Sequence, residues 1–132
     1  YLSGCCIWKK QSLVLGRSPY QWQHEPVLYG WKKSGKHQWY SGRKETTIWE
    51  FDKPKKNGDH PTMKPIPLLA YPIMNSSMSN TLVLDLFGGS GSTLIACEQL
   101  NRKCYMMELD AGYCDVIVKR WEDFAGRKAT RE

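Results

Sequence analysis

Residues 81–97 run Thr-Leu-Val-Leu-Asp-Leu-Phe-Gly-Gly-Ser-Gly-Ser-Thr-Leu-Ile-Ala-Cys. The apolar run at Leu82, Val83, Leu84, Leu86 and Phe87 predicts a parallel strand covered on both faces. Gly88, Gly89 and Gly91 break it, and a helix follows with apolar side chains at Leu94, Cys97 and Leu100. Ser90, Ser92 or Thr93 could cap that helix. Residues 103–107 read as a second strand ending at the acid Glu108. A last amphipathic helix starts at an Asp110 cap, with Tyr113, Val116, Ile117, Trp121 and Phe124 on one face. The tail from Gly126 reads as frayed.

Upstream the period is shorter. Residues 5–10 and 26–32 are rich in aromatic and branched side chains and predict two strands. The polar, turn-prone stretch 16–25 between them makes the two antiparallel neighbours. A short strand follows over 46–51, then a loop dense in charge. Residues 66–74 predict a helix packed on the sheet. Pro65 and Pro67 suit its opening turn, and Pro72 would kink or split it.

Asp85 ends one strand and Glu108 ends the next, about 20 positions further on, the layout of a nucleoside-binding half of a doubly wound sheet. The second acid can accept both ribose hydroxyls while the glycine turn holds the rest of the ligand. Gly91 is followed by Ser92 where a phosphate-binding Walker loop requires lysine. Leu94 stands where a dinucleotide loop requires a small residue. A nucleoside without phosphates fits better, and S-adenosylmethionine is such a ligand.

The stretch from Asp85 to Thr93 resembles the cofactor loop of DNA methyltransferases that modify adenine N6 or cytosine N4. Residues 60–65, His-Pro-Thr-Met-Lys-Pro, resemble the segment preceding that loop in the circularly permuted beta group, where the cofactor half follows the catalytic half. Residues 7–10 and 24–32 are similar to the end of the catalytic half in phage-type members. The resemblance implies an α/β fold, part of a three-layer αβα Rossmann-like methyltransferase sheet in permuted order. It divides the chain into a target-half remnant at 1–59, with short basic DNA-facing loops, and an S-adenosylmethionine half at 60–132. Cofactor contacts would come from Asp85, Phe87, Gly88, Gly89, Ser90, Gly91, Thr93 and Glu108, with Thr62 and Lys64 holding the methionine carboxylate.

Amino methylation in this family uses an Asp/Asn/Ser-Pro-Pro-aromatic motif against the flipped base. None of the seven prolines is adjacent to another, and the chain opens on Tyr1. The expectation is therefore a fragment, inactive alone, whose catalytic motif and two central strands lie upstream. Adenine is favoured over cytosine as target, in a restriction-modification or phage setting.

Charge fits a polyanionic partner: the net formal charge is +6 and the isoelectric point about 9.1. Lys9, Arg17, Lys32, Lys33, Lys36 and Arg43 are candidates for DNA phosphates, and Tyr20 and Trp22 for stacking on a displaced base. Core packing for the aromatics and a solvated rim for the bases is the competing reading. His24 and Glu25 read as a structural hydrogen-bonded pair. Five cysteines without a Cys-x-x-Cys pair read as buried thiols of a cytoplasmic, bacterial or phage-encoded protein, with no disulfide frame and no metal site. No run is long enough for a membrane helix. Partners would be double-stranded DNA, the missing N-terminal segment and possible homodimerisation through open strand edges. Two other classes remain: a non-catalytic nucleic-acid-binding module, and a fragment of an NAD-dependent oxidoreductase.

Overall fold

The computed structural model describes residues 1–52 and 63–131. Its elements are β1 (Leu2–Val14), β2 (Trp22–Gly30), β3 (Ile48–Glu50), α1 (Ile66–Ser76), β4 (Leu82–Asp85), α2 (Ser92–Gln99), β5 (Lys103–Met106) and α3 (Ala111–Ala125). They form two sheets, ordered β2-β1-β3 and β4-β5. The antiparallel β1–β2 pairing follows the sequence reading, with Trp8 opposite Glu25 and Ile7 opposite Pro26. β2 begins at Trp22, so residues 22–25 belong to the strand and not to the preceding loop. β3 runs parallel to β1, and β4 runs parallel to β5 with Asp85 opposite Met106.

Strand alternation decides which side chains of β1 and β2 meet the helix layer. Cys6, Trp8 and Val27 point one way, and with Trp49 of β3 they form a core capped by Leu68 of α1. Trp8 is the centre, 1% exposed, with its indole N–H donated to the Phe51 carbonyl at 3.0 Å. Tyr71 closes the edge, its ring 5.2 Å from Trp49 in an edge-on arrangement. His24 and Glu25, adjacent in a strand, point to opposite faces and do not pair as the sequence suggested. His24 packs on the Trp22 ring, whereas Glu25 turns toward α1.

α1 continues through Pro72 as one helix, forfeiting a backbone bond but not splitting. It also packs on α2, and Arg102 at the start of β5 donates to the Ser77 carbonyl at 2.7 Å, just past the end of α1. Around β4 and β5 the inward face is Val83, Asp85, Cys104 and Met106, beneath α2 and α3. α2 turns Ile95, Ala96 and Cys97 inward, a face shifted from the expected Leu94–Cys97–Leu100 stripe. The opposite face of β4 and β5 is bare: Leu82, Leu84 and Tyr105 are exposed. Coverage of β4 on both faces is thus not met among the described residues, because α1, α2 and α3 supply one helix layer only.

Asp110 caps α3 as expected, accepting from the Tyr113 N–H at 2.9 Å. Ile117 is buried, but Phe124 at the far end of the stripe is exposed. The tail past Gly126 is held, not frayed: Arg127 pairs with Glu98 at 2.5 Å and Lys128 with Glu122 at 2.9 Å. No helix is long and apolar enough to cross a membrane among the described residues. All five cysteines are free thiols, but of the five only Cys97 is buried and Cys5, on the outward side of β1, is exposed. Cys97 and Cys104 hydrogen-bond between α2 and β5, an interaction that, with burial, pushes the Cys104 thiol upward.

Trp8→Ala removes the side chain on which both β-strand and helix layers close. The expected loss is about 3–5 kcal/mol of unfolding free energy, read from urea denaturation followed by circular dichroism.

Candidate functional site

The turn between β4 and α2 is built by two glycine requirements. A Cβ on Gly88 would stand 2.6 Å from the Met106 sulfur, so a larger residue there would have to displace the Met106 side chain from its place against the turn. Gly91 has φ +81°, a left-handed conformation that costs an ordinary residue roughly 1–2 kcal/mol. Gly91 is also the N-cap of α2, with no side-chain cap bond. The expected cap from Ser90, Ser92 or Thr93 is not used, because Ser92 is buried and accepts from Arg120 instead.

Backbone bonds fix the turn. The Gly88 N–H donates to the Met107 carbonyl at 2.8 Å, and the Gly91 N–H to the Gly88 carbonyl at 2.9 Å. Asp85 accepts from the Phe87 N–H at 2.9 Å. Glu108 is held from both sides, one oxygen accepting from the Gly89 N–H at 2.7 Å and the other from the Asp110 N–H at 3.0 Å. These backbone donors, Asp110 first and then Gly89, keep the Glu108 carboxyl below its usual range. With main-chain donors orienting it, the carboxylate keeps acceptor capacity for a ligand hydroxyl.

A hollow of about 460 Å³ opens over this turn. Asp85, Phe87, Gly88, Gly89, Ser90, Thr93, Glu108 and Lys64 all line it, together with Leu69, Ser92 and Tyr113. The structure therefore brings together eight of the ten residues singled out as cofactor ligands. Gly91 shapes the turn from beneath without lining the hollow, and Thr62 lies outside the described residues. Phe87 lines the hollow as well and is 88% exposed. Among the described residues lining the hollow, Lys64 is the one cation, against the carboxylates of Asp85 and Glu108.

Arg120 was not legible as part of this site. From α3 its guanidinium donates to the Ser90 carbonyl at 2.9 Å, the Ser90 hydroxyl at 3.3 Å and the Ser92 hydroxyl at 3.1 Å. It lies three residues from Ile117, so one face of α3 seats the turn both by packing and by hydrogen bonding. Tyr113, read from sequence as core, lines the hollow instead. A cation interrupting the apolar face of α3 was the only signal available for Arg120.

The residues singled out for nucleic acid lie apart from the hollow. Tyr20 is 90% exposed and Trp22 is also exposed, so core packing does not account for either. Lys9 is paired with Glu50, which partly cancels its charge. Arg17, Lys32, Lys33, Lys36 and Arg43 are exposed and have no carboxylate partner among the described residues. The basic turn at Lys32–Lys36 follows an aromatic cluster in which Trp31 stacks on His37 with centroids 4.1 Å apart. No cluster of metal-ligating residues occurs among the described residues.

Two outcomes follow for the turn. Arg120→Met should cost about 1–3 kcal/mol and speed exchange of the Gly91 amide, measured by thermal melting and hydrogen exchange. Because the Glu108 carboxyl is depressed, its bond to Gly89 should persist as pH falls through the ordinary glutamate value of 4.5 and be lost only below it. The Gly89 amide proton shift, followed by NMR, should accordingly titrate with a midpoint under 4.5.

The N6/N4 methyltransferase family model, described as DNA methylase, matches residues 6–119. Type II methyltransferase M2.MboI of Moraxella bovis is 36% identical over 75 residues, 57% of this chain and 26% of the relative. Type II methyltransferase M2.LlaDCHI of Lactococcus lactis subsp. cremoris is 29% identical over 110 residues, 73% of this chain and 41% of the relative. The chain thus spans well under half of these curated relatives. Among solved structures, the M1.HpyAVI–SAM complex superposes with a TM-score of 0.76 at 27% identity, over 90% of this chain and 61% of that one. PvuII DNA methyltransferase (cytosine-N4-specific), at 18% identity, shares the fold with a TM-score of 0.75 over 92% of this chain and 51% of that one. The sheets, helices and glycine turn are therefore part of a Rossmann-like methyltransferase fold, and with the family match running from β1 into α3, the chain belongs to the N6/N4 DNA methylases.

Proposed function

We propose that the hollow over the β4–α2 turn binds S-adenosylmethionine, and that the chain serves methyl transfer to an exocyclic amine in DNA, adenine N6 in preference to cytosine N4. The observation that carries this reading is the pairing of Asp85 and Glu108 across one glycine turn, at the ends of adjacent parallel strands. Charge supports it further. Two carboxylates and one ammonium make a hollow that repels a pyrophosphate but suits a ligand carrying a sulfonium, an ammonium and one carboxylate. Glu108 accepts the ribose hydroxyls, the glycine turn approaches the nucleoside, and Lys64 with Thr62 takes the carboxylate. M1.HpyAVI, the structural relative at 27% identity, is described as a complex with SAM.

The target amine has a lone pair delocalised into its ring, and this chain presents no Pro-Pro motif to accept its hydrogens. We assign that motif to a further segment in a permuted, beta-group order. Its two strands would pair with the outer edges of β2 and β4, which carry no strand among the described residues. Cover for the bare face of Leu82, Leu84 and Tyr105 would need a packed layer from the same segment, since edge strands extend the sheet only in its plane. Double-stranded DNA would meet Arg17, Lys32, Lys33, Lys36 and Arg43 through its phosphates, with Lys9 at the margin, and a flipped base would reach Tyr20 or Trp22. The setting is a bacterial or phage-encoded modification enzyme in the cytoplasm.

Calorimetric titration tests the cofactor assignment. S-adenosylhomocysteine should bind and NAD should not, and Glu108→Ala should weaken binding by about tenfold or more, roughly 1.4 kcal/mol. Equal affinity for NAD, or indifference to Glu108→Ala, would refute the assignment.

A further inference from the structure

Lys64 lines the hollow, yet its ammonium is not free. It pairs with Glu25 of β2, and it stands 5.0 Å from the centroid of the Trp8 ring. The other oxygen of Glu25 pairs with Lys10 at 2.6 Å, and Lys10 lies over the same indole at 5.5 Å. Strand alternation places Lys10 and Glu25 on the helix-facing side of the first sheet, so a residue of β2 reaches the rim of a hollow built by β4 and α2. Partial burial works to raise the Glu25 carboxyl, but hydrogen bonds and charge from both lysines outweigh it and hold the group below its usual range.

We infer that Glu25, backed by Lys10, is a positioning residue that presents the Lys64 ammonium to the carboxylate of the ligand in the hollow. A free lysine side chain samples many rotamers, worth roughly 2 kcal/mol in entropy. The side chain of Lys64 is 41% exposed, so packing alone does not restrict it. Glu25 fixes its far end, Trp8 supports its flank, and the buried Pro65 next to it fixes where its stem begins. Lys10 serves a separate purpose. Without it, Glu25 would neutralise Lys64 and leave no net attraction for an anion. With it, the three charges sum to one positive, directed at the hollow. A bound carboxylate completes an alternating row: Lys10, Glu25, Lys64, ligand.

This inference rests on the S-adenosylmethionine reading, and the test separates the two. The variant K10M/E25Q removes the anchor while keeping the net charge of the cluster, so a change reports position and not charge. Calorimetry compares S-adenosylhomocysteine with 5′-methylthioadenosine, which has the nucleoside and sulfur but no carboxylate. The variant should bind S-adenosylhomocysteine roughly tenfold more weakly and methylthioadenosine unchanged. In a K64M background the same double change should have no further effect on either ligand. Equal losses for both ligands would mark Glu25 as a structural residue only, and no loss for either would overturn the inference alone. If the unsubstituted chain binds neither ligand, the cofactor reading fails and this inference fails with it. A measurement on the unsubstituted chain stands beside these: the Lys64 side-chain order parameter by NMR should exceed that of the exposed Lys33. Equal mobility of the two lysines overturns the inference even where the double variant does not fold.

Discussion

The two sheets share no backbone hydrogen bond among the described residues, and everything else depends on how they are joined. The joint is α1. Its Leu68 enters the Trp8–Trp49 core of the first sheet, and the same helix packs on α2 above the second. Arg102 ties the residue just past its C-terminus to β5, and Lys64, just before its N-terminus, reaches back to Glu25 of β2. Displacing α1 would therefore separate the halves and take the cation of the hollow with it. A helix that supplies the core contact, and whose leading segment carries the lysine of the hollow, couples stability to the hollow directly.

Much of the β4–α2–β5 unit was legible because its physics is local. A continuous apolar run, glycines at positions where a Cβ collides or φ turns positive, and an acid at the next strand end are constraints written within a short span. Asp85, Gly88, Gly91 and Glu108 follow from sequence for that reason. Thr93 and Ser90 line the hollow as expected, but neither caps α2, since the left-handed Gly91 already starts the helix. Arg120 could not be found this way. Its role depends on α3 folding back beneath the turn, a contact between residues far apart in sequence whose only local trace is a cation on an apolar face.

The same limit governs the first half. The antiparallel pairing of residues near Ile7 and Val27 was readable from two branched, aromatic runs with a turn between them, but the parallel addition of β3 was not, because nothing local distinguishes an edge strand's partner. His24 and Glu25 illustrate how a motif misleads when its secondary structure is misjudged. Taken as loop neighbours they suggest a pair. Placed in β2 they must face opposite ways, and Glu25 becomes a partner of two lysines, one of them from beyond the first sheet. The bare side of β4 shows the converse: its continuous apolar run predicts cover on both faces, while the described residues provide cover on one side alone.

The joint has a consequence for how such a protein can be encoded. Among the described residues each sheet pairs only within itself, β1 with β2 and β3, and β4 with β5. Among the described residues, what unites them is the side-chain surface of one helix. Such an architecture is indifferent to which half the ribosome makes first. Rearranging the gene so that the segments appear in another order would leave every contact of α1 available, provided that new ends fall in loops. For the described contacts, a change of coding order would then be nearly neutral.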